Sequence, residues 1–206
     1  MTEAFDVAWN LAKMPIVPGS MREIHPQDGE KWDQWNGKEQ SIRRYQALFD
    51  DPKSGERLTM RGESHPEEGE MRVWIPDPTL RRRGNGWRKT YAPRSDGWAM
   101  NAFTGGEGEK TYAMEAAGTE PEFQRRGYAT AVYDMTAGML AERGLGPLVS
   151  GGASREAQAL WRSKVGNRLQ WTEDDKRRMA HDTKPHDRKR NPAWPVRDDL
   201  FSGDGR

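Results

Sequence analysis

The residues best suited to chemistry lie in one run, Pro121-Glu122-Phe123-Gln124-Arg125-Arg126-Gly127-Tyr128-Ala129-Thr130. It joins a polar, basic loop, with a glycine at its tightest point, to the start of a helix. The first N–H groups of a helix have no partner within it, and they sit at the positive end of its dipole. That combination suits a pyrophosphate. Arg125 and Arg126 are cations able to pair with phosphate. Contact through backbone N–H groups does not need them, and the plainer reading of both is an exposed, solubilising pair. Upstream, Glu115 and Glu120 are carboxylates able to act as a base. The bland alternative for each is a solvated strand residue.

Several elements must position this run. A helix is predicted over about 129–143, where Val132, Met135, Met139 and Leu140 give one apolar face, and Gly144 stops it. Strands are predicted over 97–103 and 110–117, flanking the hairpin signal Thr104-Gly105-Gly106-Glu107-Gly108-Glu109. Further strands fit 57–61 and 71–75, separated by turn-rich residues, and Pro147–Ser150 reads as a short buried strand. A helix over about 154–164 has Ser154 as N-cap and Ala157, Leu160 and Trp161 on one face. Another helix is expected over 37–49 from the spacing of Ile42, Tyr45, Leu48 and Phe49, with Asp50-Asp51-Pro52 breaking it. Residues 1–20 read as an arm carrying a short amphipathic helix, ended by Pro15 and Pro18. The main domain is expected over 21–171. From 172 to 206 charges of both signs dominate, so this tail is expected to add little to the core, with Trp194 and Phe201 the residues able to pin it.

The spacing Gln124-x-x-Gly127-x-Ala129, between an extended segment and a helix, resembles the acyl-CoA loop of the GNAT N-acetyltransferase superfamily. Pro121-Glu122-Phe123 is similar to the family's Pro-Glu-aromatic lead-in. The order strand–strand–helix–strand–helix matches the second half of that fold, and the resemblance covers about 97–166. It implies an α/β (α+β) protein with a mixed, mostly antiparallel central sheet flanked by helices. It further implies an acetyl-CoA-dependent N-acetyltransferase acting on an amine of a small molecule or protein. The cofactor's pantetheine arm would lie along the backbone of Ala117, Gly118 and Thr119, and its pyrophosphate on Gln124, Arg125, Arg126, Gly127, Tyr128, Ala129 and Thr130. Where the family has a bulky aliphatic, this chain has Thr119. Ser154-Arg155-Glu156-Ala157-Gln158-Ala159-Leu160-Trp161 resembles the family's Asn-x-x-Ala-x-x-Leu-Tyr segment, which adds Ser154 to the cofactor contacts. Trp161 stands in place of the tyrosine that often protonates the leaving thiolate, and an indole N–H is not a useful acid. The pairing of Ser154 with Trp161 resembles phage-encoded members. Tyr128, Tyr133, Ser150 or water are the substitutes, and Glu115 or Glu120 the expected base.

Composition narrows the rest. A chain of 206 residues with 33% hydrophobic residues supports one small core. Net charge is +1, so no global field points to nucleic acid. The absence of cysteine excludes disulfides and thiolate chemistry. No apolar run approaches the roughly 20 residues of a membrane span, and a cytoplasmic protein, in a host cytoplasm if viral, is expected. The segment Arg81-Arg82-Arg83-Gly84-Asn85-Gly86-Trp87-Arg88-Lys89 offers a nucleic-acid contact with Trp87 stacking, against the plainer reading of a basic hairpin tip. His25-Pro26-Gln27-Asp28-Gly29-Glu30 and His65-Pro66-Glu67-Glu68-Gly69-Glu70 echo each other as turns rather than as a metal site. A GNAT-fold protein that binds without catalysing is the alternative function.

Overall fold

The computed structural model describes residues 16–24, 43–65, 70–76, 98–105, 112–150, 155–166 and 192–201. Seven strands form one sheet in sequence order: β1 (Arg22–Ile24), β2 (Arg43–Asp50), β3 (Arg57–His65), β4 (Glu70–Pro76), β5 (Trp98–Gly105), β6 (Tyr112–Thr119) and β7 (Leu148–Val149). Every neighbouring pair is antiparallel except β6 and β7, which run parallel. The crossover between those two carries helix α1 (Tyr128–Glu142), and helix α2 (Arg155–Val165) follows β7. A parallel pair needs such a crossover, because a tight turn can only return the chain antiparallel. The fold is therefore a mixed α/β protein built on a mostly antiparallel sheet.

Strand β2 replaces the helix expected over 37–49; residues 37–42 of that range lie outside the described residues. Tyr45, Ala47 and Phe49 are fully buried, while the intervening Gln46 and Leu48 are half-buried. That is the period of two that a strand imposes. The same face continues across the sheet through cross-strand neighbours. Tyr45 faces Gly62, Ala47 faces Met60 and Phe49 faces Leu58, and Gly62 in turn faces Val73. On the other face Arg44 is nearly buried, with its Nε 3.2 Å from Glu63 Oε1 directly across the ladder.

Helix α1 lies on the apolar face of the sheet. Gly62 makes this approach possible, since a Cβ there would come 2.5 Å from Met139 Sδ. The helix is buried on nearly its whole circumference from Tyr128 to Leu140, not on one face as its heptad-like spacing suggests. The reason is a second covering layer. A Cβ on Gly138 would meet Met21 Sδ at 3.1 Å and Leu200 Cδ1 at 3.2 Å. The segments 16–21 and 192–201 thus close over the side of α1 that the sheet leaves open. At its end, Gly144 takes a φ of 64°, the Gly144 N–H donates to Ala141 O, and the Leu145 N–H donates to Leu140 O. This is a Schellman stop, which satisfies the last carbonyls of the helix.

Two expected boundaries shift accordingly. Ile16 is fully buried and bridges Phe49, so the core begins inside the stretch read as an arm; the helix expected near its start lies outside the described residues. The charged tail, expected to add little, contributes Trp194 and Leu200 to the core at 1% and 0% exposure. Trp194 N donates to Leu148 O, Ala193 bridges Val149, and Phe201 bridges Met21. A few apolar residues suffice here because Trp194 also finds a polar partner: its Nε1 donates to Asp134 Oδ1 at 2.9 Å. Arg197 Nη1 lies 3.5 Å from Asp134 Oδ2. The second His-Pro echo spans the β3–β4 connection, since His65 and Glu70 form the last register pair; its inner residues, and the whole first copy, lie outside the described residues. The basic segment 81–89 lies outside them as well.

Candidate functional site

Strand β7 is two residues long and pairs only with Tyr112 and Ala113 at the start of β6. From Met114 to Thr119, β6 has β5 on one side and no strand on the other among the described residues. Ala117 and Gly118 are exposed and Thr119 half-buried, and a Cβ on Gly118 would meet nothing within 4 Å. The open edge is thus lined by small residues. An edge of this kind presents unpaired N–H and C=O groups to an extended ligand.

Strand β6 also carries an irregularity. Phe103 faces Ala116, yet Thr104 faces Met114, so Glu115 is an extra residue on β6. A bulge of this kind removes backbone groups from the ladder and bends the strand beside them. Glu115 therefore occupies a special backbone position, which its place in an apparently regular strand pattern conceals. Glu120 follows the strand directly, is exposed, and its carbonyl accepts the Phe123 N–H at the start of the 3-10 turn Pro121–Phe123.

The loop after that turn has an unusual backbone. Arg125 has a φ of 59° and Gly127 a φ of 78°, and Arg126 between them is not in the positive region. Among the described residues Arg125 is the one non-glycine with positive φ. An L-residue pays about 1–2 kcal/mol to stand there, and such outliers concentrate at ligand clamps. Alternation of the sign of φ turns successive N–H groups into a concavity that suits an anion. Gly127 is the N-cap of α1 and supplies no side-chain acceptor. The first helical bond is Ala131 N to Gly127 O. Among the described residues, the N–H groups of residues 125 to 130 have no protein acceptor. N–H groups without acceptors at a helix start make a local environment that favours negative charge.

The side chains of this loop are mostly committed elsewhere. Phe123 is buried 5.5 Å from the Tyr128 ring, and Tyr128 meets Phe49 edge-on at 4.6 Å. Gln124 Nε2 donates to Thr119 O at 3.3 Å, which ties the loop to the end of β6. Arg126 Nη1 donates to Asp51 Oδ2 at 3.1 Å, and the Tyr128 hydroxyl donates to the same oxygen at 3.1 Å. The Arg126 guanidinium also sits over the Phe123 ring at 5.2 Å. Burial and the adjacent Asp51 carboxylate push the Tyr128 hydroxyl far above its ordinary pKa. Arg125 is exposed and, among the described residues, paired with no carboxylate. Ala129 is half-buried and Thr130 buried, so their side chains are largely withdrawn from the surface.

Of the residues read from the sequence, Ala117, Gly118, Thr119 and the loop 124–130 come together at one end of β6. Ser154 lies outside the described residues, and of Glu115 only the backbone is described. Tyr133, a candidate acid, is buried in an aromatic cluster, 5.7 Å from Trp161 and 4.9 Å from Trp194. Burial raises its pKa, with the Trp161 indole acting in the opposite direction. Ser150 and Trp161 are each 1% exposed. Asp51 is the residue that sequence reasoning missed. Its Asp-Pro context announced a turn, and nothing local announced a partner 75 residues away.

The chain matches no family model, no curated protein and no solved structure. No helix among the described residues is long and apolar enough to cross a membrane. Among the described residues, no group of three or more His, Cys, Asp or Glu side chains is arranged to hold a metal ion.

Proposed function

We propose that the chain is an acyltransferase of the GNAT type, taking acetyl-CoA beside β6 and transferring its acetyl group to an amine. One observation supports this above the others. Among the described residues, the edge of β6 left open beyond Ala113 ends at a loop whose N–H groups at 125–130 lack protein acceptors. A ligand with an extended amide-bearing arm and a diphosphate needs both features, in that order along the strand. The arm bonds to strand backbone as an added strand would. The diphosphate takes the loop N–H groups and the helix dipole, with Arg125 as a cation alongside.

In the reaction a neutral amine nitrogen attacks the thioester carbonyl carbon. The new C–N bond forms, the C–S bond breaks, and CoA leaves as a thiolate. The nitrogen's proton passes to a carboxylate, Glu115 or Glu120, directly or through water, and the thiolate takes a proton from water or a nearby acid. Backbone N–H groups freed by the bulge at Glu115 suit the developing oxyanion. An intracellular setting, where acetyl-CoA is made, goes with this reading.

The test is calorimetric titration with acetyl-CoA. The wild type is expected to bind, and Gly127→Asp to weaken binding at least tenfold, about 1.4 kcal/mol. The variant puts both a side chain and a negative charge where phosphate must approach. A folded Gly127→Asp protein that binds as well as wild type refutes the loop assignment.

A second reading, binding without catalysis, draws on a specific observation. Trp161, in the position of the family's acid, is buried against Tyr133 and Trp194, and Tyr128 is hydrogen-bonded to Asp51. None of Trp161, Tyr133 and Tyr128 offers a proton readily. Tight acetyl-CoA binding with no turnover over a panel of amines favours this reading over the first.

A further inference from the structure

The two adjacent arginines of the loop have different surroundings, and the difference traces to one carboxylate. Asp51 is 1% exposed at the turn between β2 and β3. Its two oxygens divide their work. Oδ1 accepts the Lys53 N–H at 2.9 Å and so closes its own turn, in which Asp51 N donates to Glu56 O and Gly55 N to Asp51 O. Oδ2 accepts from Arg126 and from Tyr128, both at 3.1 Å. A hairpin turn is thereby fixed to the loop and to the first residue of α1. Burial alone would raise the Asp51 carboxyl. The Lys53 N–H, the Tyr128 hydroxyl, the Arg126 guanidinium and the Ser54 hydroxyl outweigh it and hold the group below its ordinary range, so it stays ionised.

We infer that Asp51 is a positioning residue that presets the 125–130 backbone for an anionic ligand, with Arg126 as its strut and Arg125 as the ligand's cation. The inference rests on the acetyl-CoA reading for the identity of that ligand. The physical need for such a strut is plain. Arg125 stands in a left-handed conformation that a free chain would abandon. Gly127, two residues on, has the widest conformational freedom of any residue type. Left alone, a loop of this composition would spend little time with its N–H groups gathered. Holding residue 126 by its guanidinium and residue 128 by its hydroxyl brackets the glycine from both sides. The ligand then meets a formed site and does not have to order one. The same bracket uses up the Arg126 charge, since its guanidinium donates to a buried carboxylate and covers Phe123.

The experiment compares wild type with Asp51→Asn, Arg126→Gln, their double variant and Arg125→Gln. Two quantities are read: backbone N–H order parameters at 125–130, against the interior of α1 at 132–139, and calorimetric affinity for acetyl-CoA. Asp51→Asn and Arg126→Gln are expected to lower the loop order parameters from about 0.85, the value of rigid backbone, to below about 0.6, while the helix interior stays as rigid as in wild type. Each should weaken acetyl-CoA about tenfold, and the double variant should lose no more than the worse single one, because the two act as one unit. Arg125→Gln should leave the order parameters unchanged and weaken binding by a factor that shrinks at high salt. Unchanged loop order parameters in Asp51→Asn overturn the positioning role. So does an equal drop in the helix interior, which marks a merely structural contact. The relaxation arm uses no ligand. If wild type fails to bind acetyl-CoA, the cofactor reading and the ligand named here fall, while the order parameters still decide whether Asp51 sets the loop.

Discussion

Replacing Trp194 tests whether the segment 192–201 is part of the core. Its ring is 1% exposed, 4.9 Å from Tyr133 and 5.0 Å from Trp161. Its Nε1 donates to the buried Asp134. Trp194→Ala removes a fully enclosed ring and should cost about 3–5 kcal/mol. Trp194→Phe keeps most of the ring and deletes the donor. A hydrogen bond to a charged group is worth about 1.5–3 kcal/mol, so this variant should lose roughly that. The gap between the two variants then isolates packing. Domains of this size are stable by about 5–15 kcal/mol. Truncation before residue 192 also removes Leu200, worth about 2–5 kcal/mol when buried. The summed loss approaches the whole stability, and the shortened chain should show no cooperative transition. Urea unfolding followed by circular dichroism measures each value. A loss under 1 kcal/mol for Trp194→Ala, or a cooperative transition in the truncated chain, refutes the reasoning.

The same site makes a pH prediction. Burial is the largest influence on Asp134 and raises its carboxyl above the ordinary 3.8, against Lys164, Trp194 and Arg197, which lower it. Between the ordinary and the raised value, the folded protein holds a proton that the unfolded chain has released. Stability contributed by this group is therefore greatest below the unfolded pKa and falls as pH rises through the folded one. Trp194→Phe removes a donor that favours the carboxylate, so the fall should deepen. A fall no deeper in the variant than in wild type would show that the indole does not stabilise the charge.

Two further outcomes are expected. If the protein turns over an amine, Glu115→Gln or Glu120→Gln should lower kcat about a hundredfold with acetyl-CoA affinity intact; full activity in both excludes a base at either position. Gly62→Ala should destabilise by about 1–3 kcal/mol, since its new methyl group meets Met139 and Met135. The flexible methionine ends favour the lower part of that range, and an unchanged urea midpoint would show that α1 can lift from the sheet at no cost.

How far the sequence reveals this structure depends on where the partner of each residue sits. Helix α1 was legible within a residue at each end, because its apolar repeats and the stop at Gly144 are local signals. The strands β4 to β6 and helix α2 were legible for the same reason, and β3 only over 57–61: its last residues, Gly62–His65, fall where a turn was expected. Strand β2 was not. Tyr45, Leu48 and Phe49 fit a helical spacing, while the residue that completes the strand face is the small Ala47. Nothing local signals that Arg44 is buried, because the glutamate that pairs with it is 19 residues on. The segment 192–201 was discounted on its charges, yet two of those charges, Arg197 and Asp199, form a pair that also reaches Asp134.

The candidate site divides along the same line. The loop could be read from glycine spacing, since the conformation of residue 127 and the helix start are properties of a few adjacent residues. The bulge at Glu115 could not, because a bulge exists only relative to the strand that fails to match it, here β5. Asp51 could not either. In sequence it belongs to an Asp-Pro turn, and it performs that task with one oxygen. Its second oxygen holds the loop across the fold, and only the packing of α1 onto β2 brings the two within reach. A motif therefore reports which backbone conformation is required, while the residues that enforce the conformation are set by topology. That division predicts where substitutions will mislead: changes at 124–129 should look functional at once, and a change at Asp51 should look like a turn mutation until binding is measured.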